Sequence, residues 1–350
     1  MNLDEKKLQQ VMDEATDSGE ECGCQLAIFR KGKPVLSLVS GYTSADRTEK
    51  VTERTLFPIF SCGKSVMTTI THRLVDQGLM DYDARIADYW PEFGCNGKEE
   101  IRLWHVLSHR SGIYQLPKLE YDQHADWDFM CGIVANLVPA LKPGMQCRYQ
   151  SLSYAWLLGE PVRRAAGRSM QELIREQIFR PLGIDDSFAF GTTEEQDSRR
   201  ALVDSAPDDW RAVATASPAV RHAFIPSYNG YASALAMAKY CSALIMPTDG
   251  VQLLKKATVD KAAVLCRHPD DPIPTGVYCP MFGLGYALGG SLDCPGRFFG
   301  HVGALGAESC SCRDGEFALA FTKNKSLASH PVHPIRNRLS AVLGLPERIW

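Results

Sequence analysis

The spacing of apolar residues shifts between helical and strand-like periods along the chain, and these shifts outline the secondary structure. A helix is predicted over residues 4–18 because four apolar residues recur on one face: Leu8, Val11, Met12 and Ala15. Apolar runs at 24–29 and 35–39 predict two strands, which a turn at 31–33 joins. The chain therefore opens with a helix followed by a pair of strands.

Helical spacing dominates from residue 61 to about residue 215, and strand-like runs return toward the C-terminal end. The elements predicted after this middle part are a helix at 232–244, strands at 283–288, 298–301, 307–312 and 317–321, and a final helix at 333–343. We therefore expect an α+β fold of the α/β sandwich type, with a sheet lobe from residues 1–60 and 220–350. Residues 61–219 would form a mainly helical inserted lobe, with the active-site cleft between the two lobes.

The tetrad from Ser61 to Lys64 opens an amphipathic segment that predicts a helix ending at Gly78. Residues three apart lie on the same helical face, so the Ser61 hydroxyl and the Lys64 amine can meet. A lysine whose pKa is lowered by burial can take the proton of a serine and make it a nucleophile. A chain of this length contains about one or two such tetrads by chance. In that case the serine would be a helix N-cap and the lysine would be solvated. The tetrad therefore needs support from other segments.

Composition and charge exclude several classes of partner. The chain has 350 residues, of which 45% are hydrophobic and 23% charged, and its net charge is −3 at pH 7. Neither nucleic acid nor a membrane is expected as a partner, because there is no basic excess and no long apolar run. Residues 1–7 lack the apolar stretch of a secretory signal, which predicts a cytoplasmic location. The oligomeric state is left open.

Two sets of potential metal ligands have a spacing or a sequence that does not fit a metal site. Of the 12 cysteines, Cys22 and Cys24 form one Cys-x-Cys pair, and Cys310 and Cys312 form another. Paired zinc ligands are usually separated by about two to four residues, so buried free thiols are the favoured interpretation. His105 and His109 are four residues apart but lack the glutamate of a His-Glu-x-x-His motif. We therefore expect no metal and no cofactor.

Four further segments resemble the motifs of one enzyme family. Arg148–Ser151 resembles the Tyr-x-Asn segment of class C β-lactamases and related esterases, and Phe299–Gly303 resembles their third motif. That motif is Lys-Thr-Gly in the lactamases and often His-x-Gly in the esterases. Leu107–Ile113 and Pro181–Ile184 resemble two other landmarks of the family. With the motifs in order over residues 10–345, the chain is identified as a member of the serine β-lactamase / penicillin-binding-protein-like superfamily, on the class C and family VIII esterase side.

The resemblance implies a fold and a role for individual residues. The fold would be an antiparallel sheet flanked by helices, beside an all-helical lobe, of the β-lactamase/transpeptidase type. Ser61 would be the acylated nucleophile. Lys64 and Tyr149 would form a coupled proton-transfer pair, with Tyr149 as general base and its phenolate favoured by nearby positive charge. The backbone N–H groups of Ser61 and of Ala304, on the strand after His301, would form the oxyanion hole.

The substrate pocket would include Ser151, His301 and Gly303, and two of these positions depart from the lactamase pattern. Ser151 stands where lactamases carry Asn, and its shorter hydroxyl would hold a substrate amide less well. A neutral His301 in place of Lys would bind a substrate carboxylate poorly. Both departures favour ester substrates over β-lactams. The expected partner is a small-molecule ester or amide substrate. We therefore predict a carboxylesterase-like serine hydrolase. The alternatives are a β-lactamase or D-Ala-D-Ala peptidase, and a catalytically silent relative that binds a ligand.

Overall fold

The computed structural model describes residues 3–266, 281–289, 296–326 and 334–345. Its strands, in chain order, are β1 (Gly23–Arg30), β2 (Lys33–Gly41), β3 (Phe57–Pro58), β4 (Phe188–Phe190), β5 (Gly230–Ala232), β6 (Met281–Phe282), β7 (Ala287–Gly289), β8 (Phe298–Val302), β9 (Glu308–Cys312) and β10 (Ala318–Lys323). Seven of these strands form one antiparallel sheet in the order β2-β1-β10-β9-β8-β7-β6. Ala27 of β1 pairs with Ala320 of β10, so the two ends of the chain meet in the sheet, as predicted.

The α-helices, in chain order, are α1 (Glu5–Asp17), α2 (Gly63–Asp76), α3 (Ile86–Tyr89), α4 (Leu103–Leu107), α5 (Trp127–Asn136), α6 (Tyr154–Ala166), α7 (Met170–Ile174), α8 (Arg180–Leu182), α9 (Glu194–Asp197), α10 (Trp210–Ala216), α11 (Pro218–His222), α12 (Ala234–Ile245), α13 (Lys256–Ala262) and α14 (Pro334–Leu343). Short 3₁₀ helices cover Phe60–Cys62, Pro91–Phe93 and Tyr121–Ala125, and a π-helical turn covers Arg175–Phe179. The predicted helices at both ends of the chain are therefore confirmed.

Helices cover the sheet on both faces. Helix α1 packs on β2 and on α14, and helix α12 packs on β1, β9 and β10. The core between the sheet and the α1–α14 layer is apolar and includes Leu8, Met12, Leu26, Ile28, Phe321 and Leu339. Cys24, Cys310 and Cys312 are buried in this same core. The thiols of these three residues thus behave as small apolar side chains.

Residues 283–288 do not form the single strand that we predicted. The chain instead turns between β6 and β7, and Gly285 lies in the turn with φ of +90°. A side chain at Gly285 would bring a Cβ within 2.4 Å of Thr68 Oγ1. The close approach of helix α2 and the left-handed backbone therefore require a glycine turn at this point.

A second, three-stranded sheet has the order β3-β5-β4, and the sequence analysis missed it. Its strands are two or three residues long, too short to show a period. Strand β4 lies within residues 61–219, which are otherwise helical or irregular where described. Next to this sheet, the Ile59 amide donates to the Gly230 carbonyl at 2.9 Å. The small sheet therefore ties the segment before Ser61 to the segment after Ser227.

Candidate active site

Ser61 and Lys64 lie at the start of helix α2. Ser61 belongs to the 3₁₀ turn Phe60–Cys62, so the α-helix begins two residues later than predicted, at Gly63. Lys64 Nζ lies 3.0 Å from Ser61 Oγ. The residue before the serine, Phe60, has φ of +44°. A non-glycine residue in this region of φ is strained, and such strain often accompanies functional sites.

The amine of Lys64 is enclosed by protein. Its side chain is 0% exposed, and burial lowers the pKa of Lys64 well below its ordinary value. Lys64 Nζ donates to the Ser227 carbonyl oxygen at 2.8 Å, and the Ser61 hydroxyl lies 3.5 Å from the same oxygen. In its neutral form, an amine in this position has a lone pair that can accept the proton of the Ser61 hydroxyl.

The contribution of Ser227 was not foreseen. Its carbonyl oxygen orients both the serine and the lysine, while its own hydroxyl donates to the Leu152 carbonyl at 3.2 Å. Every residue type has a backbone carbonyl, so the sequence does not show which one will contact the site. Ser227 is also more than 160 positions from Lys64 in the chain.

Tyr149 lies in an irregular segment before α6, across the site from Ser61. The residue is half-buried, but its hydroxyl is enclosed by protein, and this burial raises the pKa of Tyr149. The Ser61 hydroxyl opposes this shift through a weaker hydrogen-bonding contribution. The Tyr149 hydroxyl lies 3.5 Å from His301 Nε2, and Lys64 Nζ lies 5.1 Å from the centre of its ring. Contrary to our expectation, burial of Tyr149 favours the protonated phenol over the phenolate.

A buried network holds Tyr149 in place. The next residue, Gln150, donates through Nε2 to the Val106 carbonyl at 2.8 Å and accepts a bond from the Ser111 hydroxyl. The backbone N–H of Gln150 donates to His109 Nδ1 at 3.2 Å. The His109 ring meets the Tyr149 ring edge-on, with centroids 4.9 Å apart. His109 is therefore a structural hydrogen-bonder, and Gln150 is a positioning residue that we did not predict.

His301 is neutral and faces Tyr149. Its Nδ1 lies 2.8 Å from the Val302 carbonyl oxygen, a contact that requires a proton on Nδ1. Burial, with a smaller contribution from Lys64, lowers the pKa of His301 to about 3. Nε2 therefore carries a free lone pair directed toward the Tyr149 hydroxyl.

We expected Ala304 to lie on a strand, which is wrong, because it lies in the turn between β8 and β9. The Gly303 carbonyl accepts from the Gly306 amide at 2.8 Å inside this turn. Because the C=O and N–H of a trans peptide point in opposite directions, the Ala304 N–H points out of the turn. Within the described parts of the chain, neither this N–H nor that of Ser61 donates to another protein group. Both amides are available to an anionic oxygen.

Gly303 allows this turn to reach the nucleophile. A Cβ at Gly303 would lie 2.3 Å from the Ile59 carbonyl oxygen, which is a backbone atom that cannot move aside. Ile59 is two residues before Ser61. A glycine at position 303 therefore sets the close approach between the turn and the serine.

The Ser151 side chain makes no hydrogen bond to Ser61, Lys64, Tyr149 or His301 in the described structure. It is exposed in a turn, and its amide donates to the Tyr149 carbonyl at 3.1 Å. The structure thus brings together Ser61, Lys64, Tyr149 and His301, and leaves Ser151 at the surface.

Within the described parts of the chain, no group of three or more His, Cys, Asp or Glu side chains is placed to hold a metal ion. His105 accepts the Arg102 amide at 2.9 Å, while His109 lies beyond the end of α4. The same residues contain no helix of the length and apolarity needed to span a bilayer.

Comparisons with known proteins extend over most of the chain. The family model described as Beta-lactamase matches residues 8–341. The Esterase/beta-lactamase LipL of Mycobacterium tuberculosis (strain ATCC 25618 / H37Rv) is 29% identical over 344 residues, covering 87% of this chain and 78% of that protein. A solved family VIII carboxylesterase has a TM-score of 0.85 at 24% identity, covering 96% of each chain. A penicillin-binding protein homolog from Caulobacter crescentus has a TM-score of 0.85 at 26% identity, covering 97% of each chain. The structural matches confirm the predicted antiparallel sheet flanked by helices.

Proposed function

Because the chain belongs to the Beta-lactamase family, we propose that it is a serine hydrolase of the carboxylesterase kind that forms an acyl-enzyme on Ser61. The match to the family model confirms the resemblance carried by the motifs. The single observation that carries the proposal is the buried Lys64 amine, whose pKa burial lowers, 3.0 Å from Ser61 Oγ. An amine in this state can accept the proton that makes the serine nucleophilic.

In the proposed first step, Ser61 Oγ attacks the ester carbonyl while Lys64 Nζ takes its proton. The Ser61 and Ala304 amides receive the negative charge on the carbonyl oxygen. Tyr149 then gives its proton to the leaving alcohol, and the proton held by Lys64 restores it. Because the phenol is the favoured state of Tyr149, the proposal assigns the first proton acceptance to Lys64 and the donation to Tyr149.

In the second step, water attacks the acyl-enzyme and its proton passes to the Lys64–Tyr149 pair. His301 supports this step by accepting from the Tyr149 hydroxyl through Nε2, 3.5 Å away. The acyl group leaves as a carboxylic acid and Ser61 regains its proton. The pair thus returns to its starting state after each turnover.

The pocket residues favour esters over β-lactams as substrates. His301 is neutral over the physiological range because burial lowers its pKa to about 3, so it offers no cation to a substrate carboxylate. Ser151 places no amide group beside the site. The relative LipL is described as both an esterase and a β-lactamase, so the choice of esters rests on the pocket residues. We also propose that the site lies in the cleft between the sheet lobe of residues 1–60 and 220–350 and the helical lobe of residues 61–219.

The test compares a short-chain p-nitrophenyl ester, a chromogenic cephalosporin and a fluorophosphonate probe on the wild-type chain and on Ser61→Ala. We expect ester turnover and labelling of the Ser61 peptide by mass spectrometry, with both lost in Ser61→Ala. Turnover that survives in Ser61→Ala would refute the nucleophile. Faster cephalosporin than ester hydrolysis would favour a β-lactamase instead. A chain that neither turns over nor is labelled would be a catalytically silent relative.

A further inference from the structure

One short segment outside the site contacts both of the chain segments that carry the Ser61 and Ala304 amides. This segment is Asp209–Arg211, at the start of helix α10. Its arginine reaches the turn that holds Ala304, and its tryptophan packs against Phe60, the residue before Ser61. None of the family motifs includes these residues.

The Arg211 guanidinium links Asp209 to the Ala304 turn. Arg211 Nε and Nη2 donate to the two Asp209 oxygens at 2.8 and 2.7 Å. Arg211 Nη1 donates to the Ala304 carbonyl oxygen at 3.1 Å. The Asp209 carboxylate also accepts from the Ser326 hydroxyl at 2.8 Å, and its side chain is 8% exposed. A planar guanidinium held on two sides has few alternative positions, so it fixes the carbonyl that it binds.

The Trp210 ring supports Phe60, the residue before Ser61. It meets the Phe60 ring edge-on, with centroids 5.5 Å apart and an interplanar angle of 76°. Phe60 is fully buried and has φ of +44°, so its conformation needs support from its neighbours. Trp210 itself is 40% exposed, an uncommon position for so large an apolar side chain.

We propose that Trp210 and Arg211 are positioning residues that fix the distance between the Ser61 and Ala304 amides. This inference rests on the proposed function, because it assigns both amides to one oxyanion hole. Arg211 acts by geometry rather than by charge, since Asp209 neutralises it through the paired hydrogen bonds. The spacing of two amides matters most when charge develops on the oxygen between them.

The test uses Arg211→Met, Trp210→Ala and Trp210→Phe, with Arg199→Met as the matched control. Arg199 is 15% exposed, pairs with Asp186 at 2.7 Å and also binds backbone carbonyls, but it does not touch the site. The measurements are kcat and KM for a p-nitrophenyl ester, the inhibition constant of a phenylboronic acid, and Tm. The boronic acid binds a reactive serine as a tetrahedral anion and so reports on the oxyanion hole.

We expect Arg211→Met and Trp210→Ala to lower kcat by about tenfold or more and to weaken boronate inhibition by a similar factor. KM should stay within about twofold, and Trp210→Phe should recover most of kcat because it keeps a ring against Phe60. Arg199→Met should change Tm without changing kcat or boronate affinity.

The inference is overturned if Arg211→Met only lowers Tm, as Arg199→Met does. It is also overturned if Trp210→Ala raises KM at constant kcat, which would make Trp210 a substrate contact. Failure of the underlying function has a different signature, because the wild-type chain would then lack ester turnover and fluorophosphonate labelling at Ser61.

Discussion

Lys64 Nζ lies 3.0 Å from Ser61 Oγ, and the lysine side chain has no exposed surface. A charged amine in this position would lack the water that stabilises it, so burial lowers the pKa of Lys64. The Lys64 amine lies within hydrogen-bond distance of the Ser227 carbonyl oxygen at 2.8 Å and of Ser61 Oγ, and its neutral form can accept the serine proton. The pair is therefore arranged for proton transfer rather than for charge stabilisation.

The first prediction concerns the pH dependence of catalysis. Because only neutral Lys64 accepts a proton, kcat/KM for an ester should fall on the acid side, as pH drops through the lowered pKa of Lys64. His301 does not cause this fall in kcat/KM at acid pH, because its pKa of about 3 lies below the pH range of the measurement. Lys64→Arg should lose about a hundredfold or more of activity at every pH, since a guanidinium stays protonated. A rate profile from about pH 5 to about pH 9 checks this, and a Lys64→Arg variant with near wild-type activity would contradict it.

The second prediction concerns stability. A lysine whose pKa is depressed by folding costs stability at neutral pH, because the unfolded chain binds a proton that the folded chain does not. Lys64→Met should therefore be inactive, yet more stable at pH 7 by about 1 kcal/mol, the usual scale for relieving a functional constraint. This gain should shrink as pH rises toward about 10.4, where the unfolded lysine also loses its proton.

Lys323→Met serves as the control, with the opposite sign. Lys323 is equally buried but pairs with Glu21 at 2.7 Å. Removing it leaves a buried carboxylate without its partner, which costs about 3–5 kcal/mol. Thermal and urea denaturation at several pH values measure both variants. Equal destabilisation by the two substitutions would show that Lys64 is a structural cation.

The sequence predicted the part of the site whose residues lie close together along the chain. Ser61 and Lys64 are three residues apart on one helix face, so their meeting follows from helix geometry. Strands β1, β2, β8, β9 and β10 were also predictable, because each has at least five residues to show its period, unlike β6 and β7. The Ser227 carbonyl was not predictable, since its role depends on a contact 163 residues away along the chain.

The protonation states of the site residues could not be predicted from the sequence either. Tyr149 was expected as a phenolate because Lys64 is near, but the surroundings of its hydroxyl raise the pKa of Tyr149. Burial is a property of the packed structure and has no signature in one segment. The same holds for Gln150 and His109, which position Tyr149 through contacts about 40 residues apart in the chain.

The third prediction concerns Tyr149. Tyr149→Phe removes the hydroxyl 3.5 Å from His301 Nε2 while keeping the ring, which stacks on Phe282 with centroids 5.7 Å apart. We expect kcat to fall by about a hundredfold or more, with Tm nearly unchanged. Tyr154→Phe is the matched control. Tyr154 is buried, and its hydroxyl lies 2.9 Å from Thr68 Oγ1 in the interior, so this variant should lose stability and keep its activity per folded molecule. Equal losses of kcat in the two variants would remove Tyr149 from the proton pathway.

The fourth prediction concerns the approach of the Ala304 turn to the nucleophile. Gly303→Ala would place a Cβ 2.3 Å from the Ile59 carbonyl oxygen, so the turn or the segment before Ser61 must move. We expect this variant to lose more than about 1 kcal/mol of stability, because two backbone segments are forced apart. We also expect a loss of ester turnover beyond the loss of folded protein, because the Ala304 amide moves away from Ser61. Gly132→Ala is the control, since a Cβ there meets nothing within 4 Å inside helix α5, and it should stabilise the fold by about 0.5–1 kcal/mol. Denaturation curves and kcat measured at matched folded fractions compare the two variants, and a Gly303→Ala variant with wild-type Tm and kcat would contradict the close approach seen between residues 59 and 303.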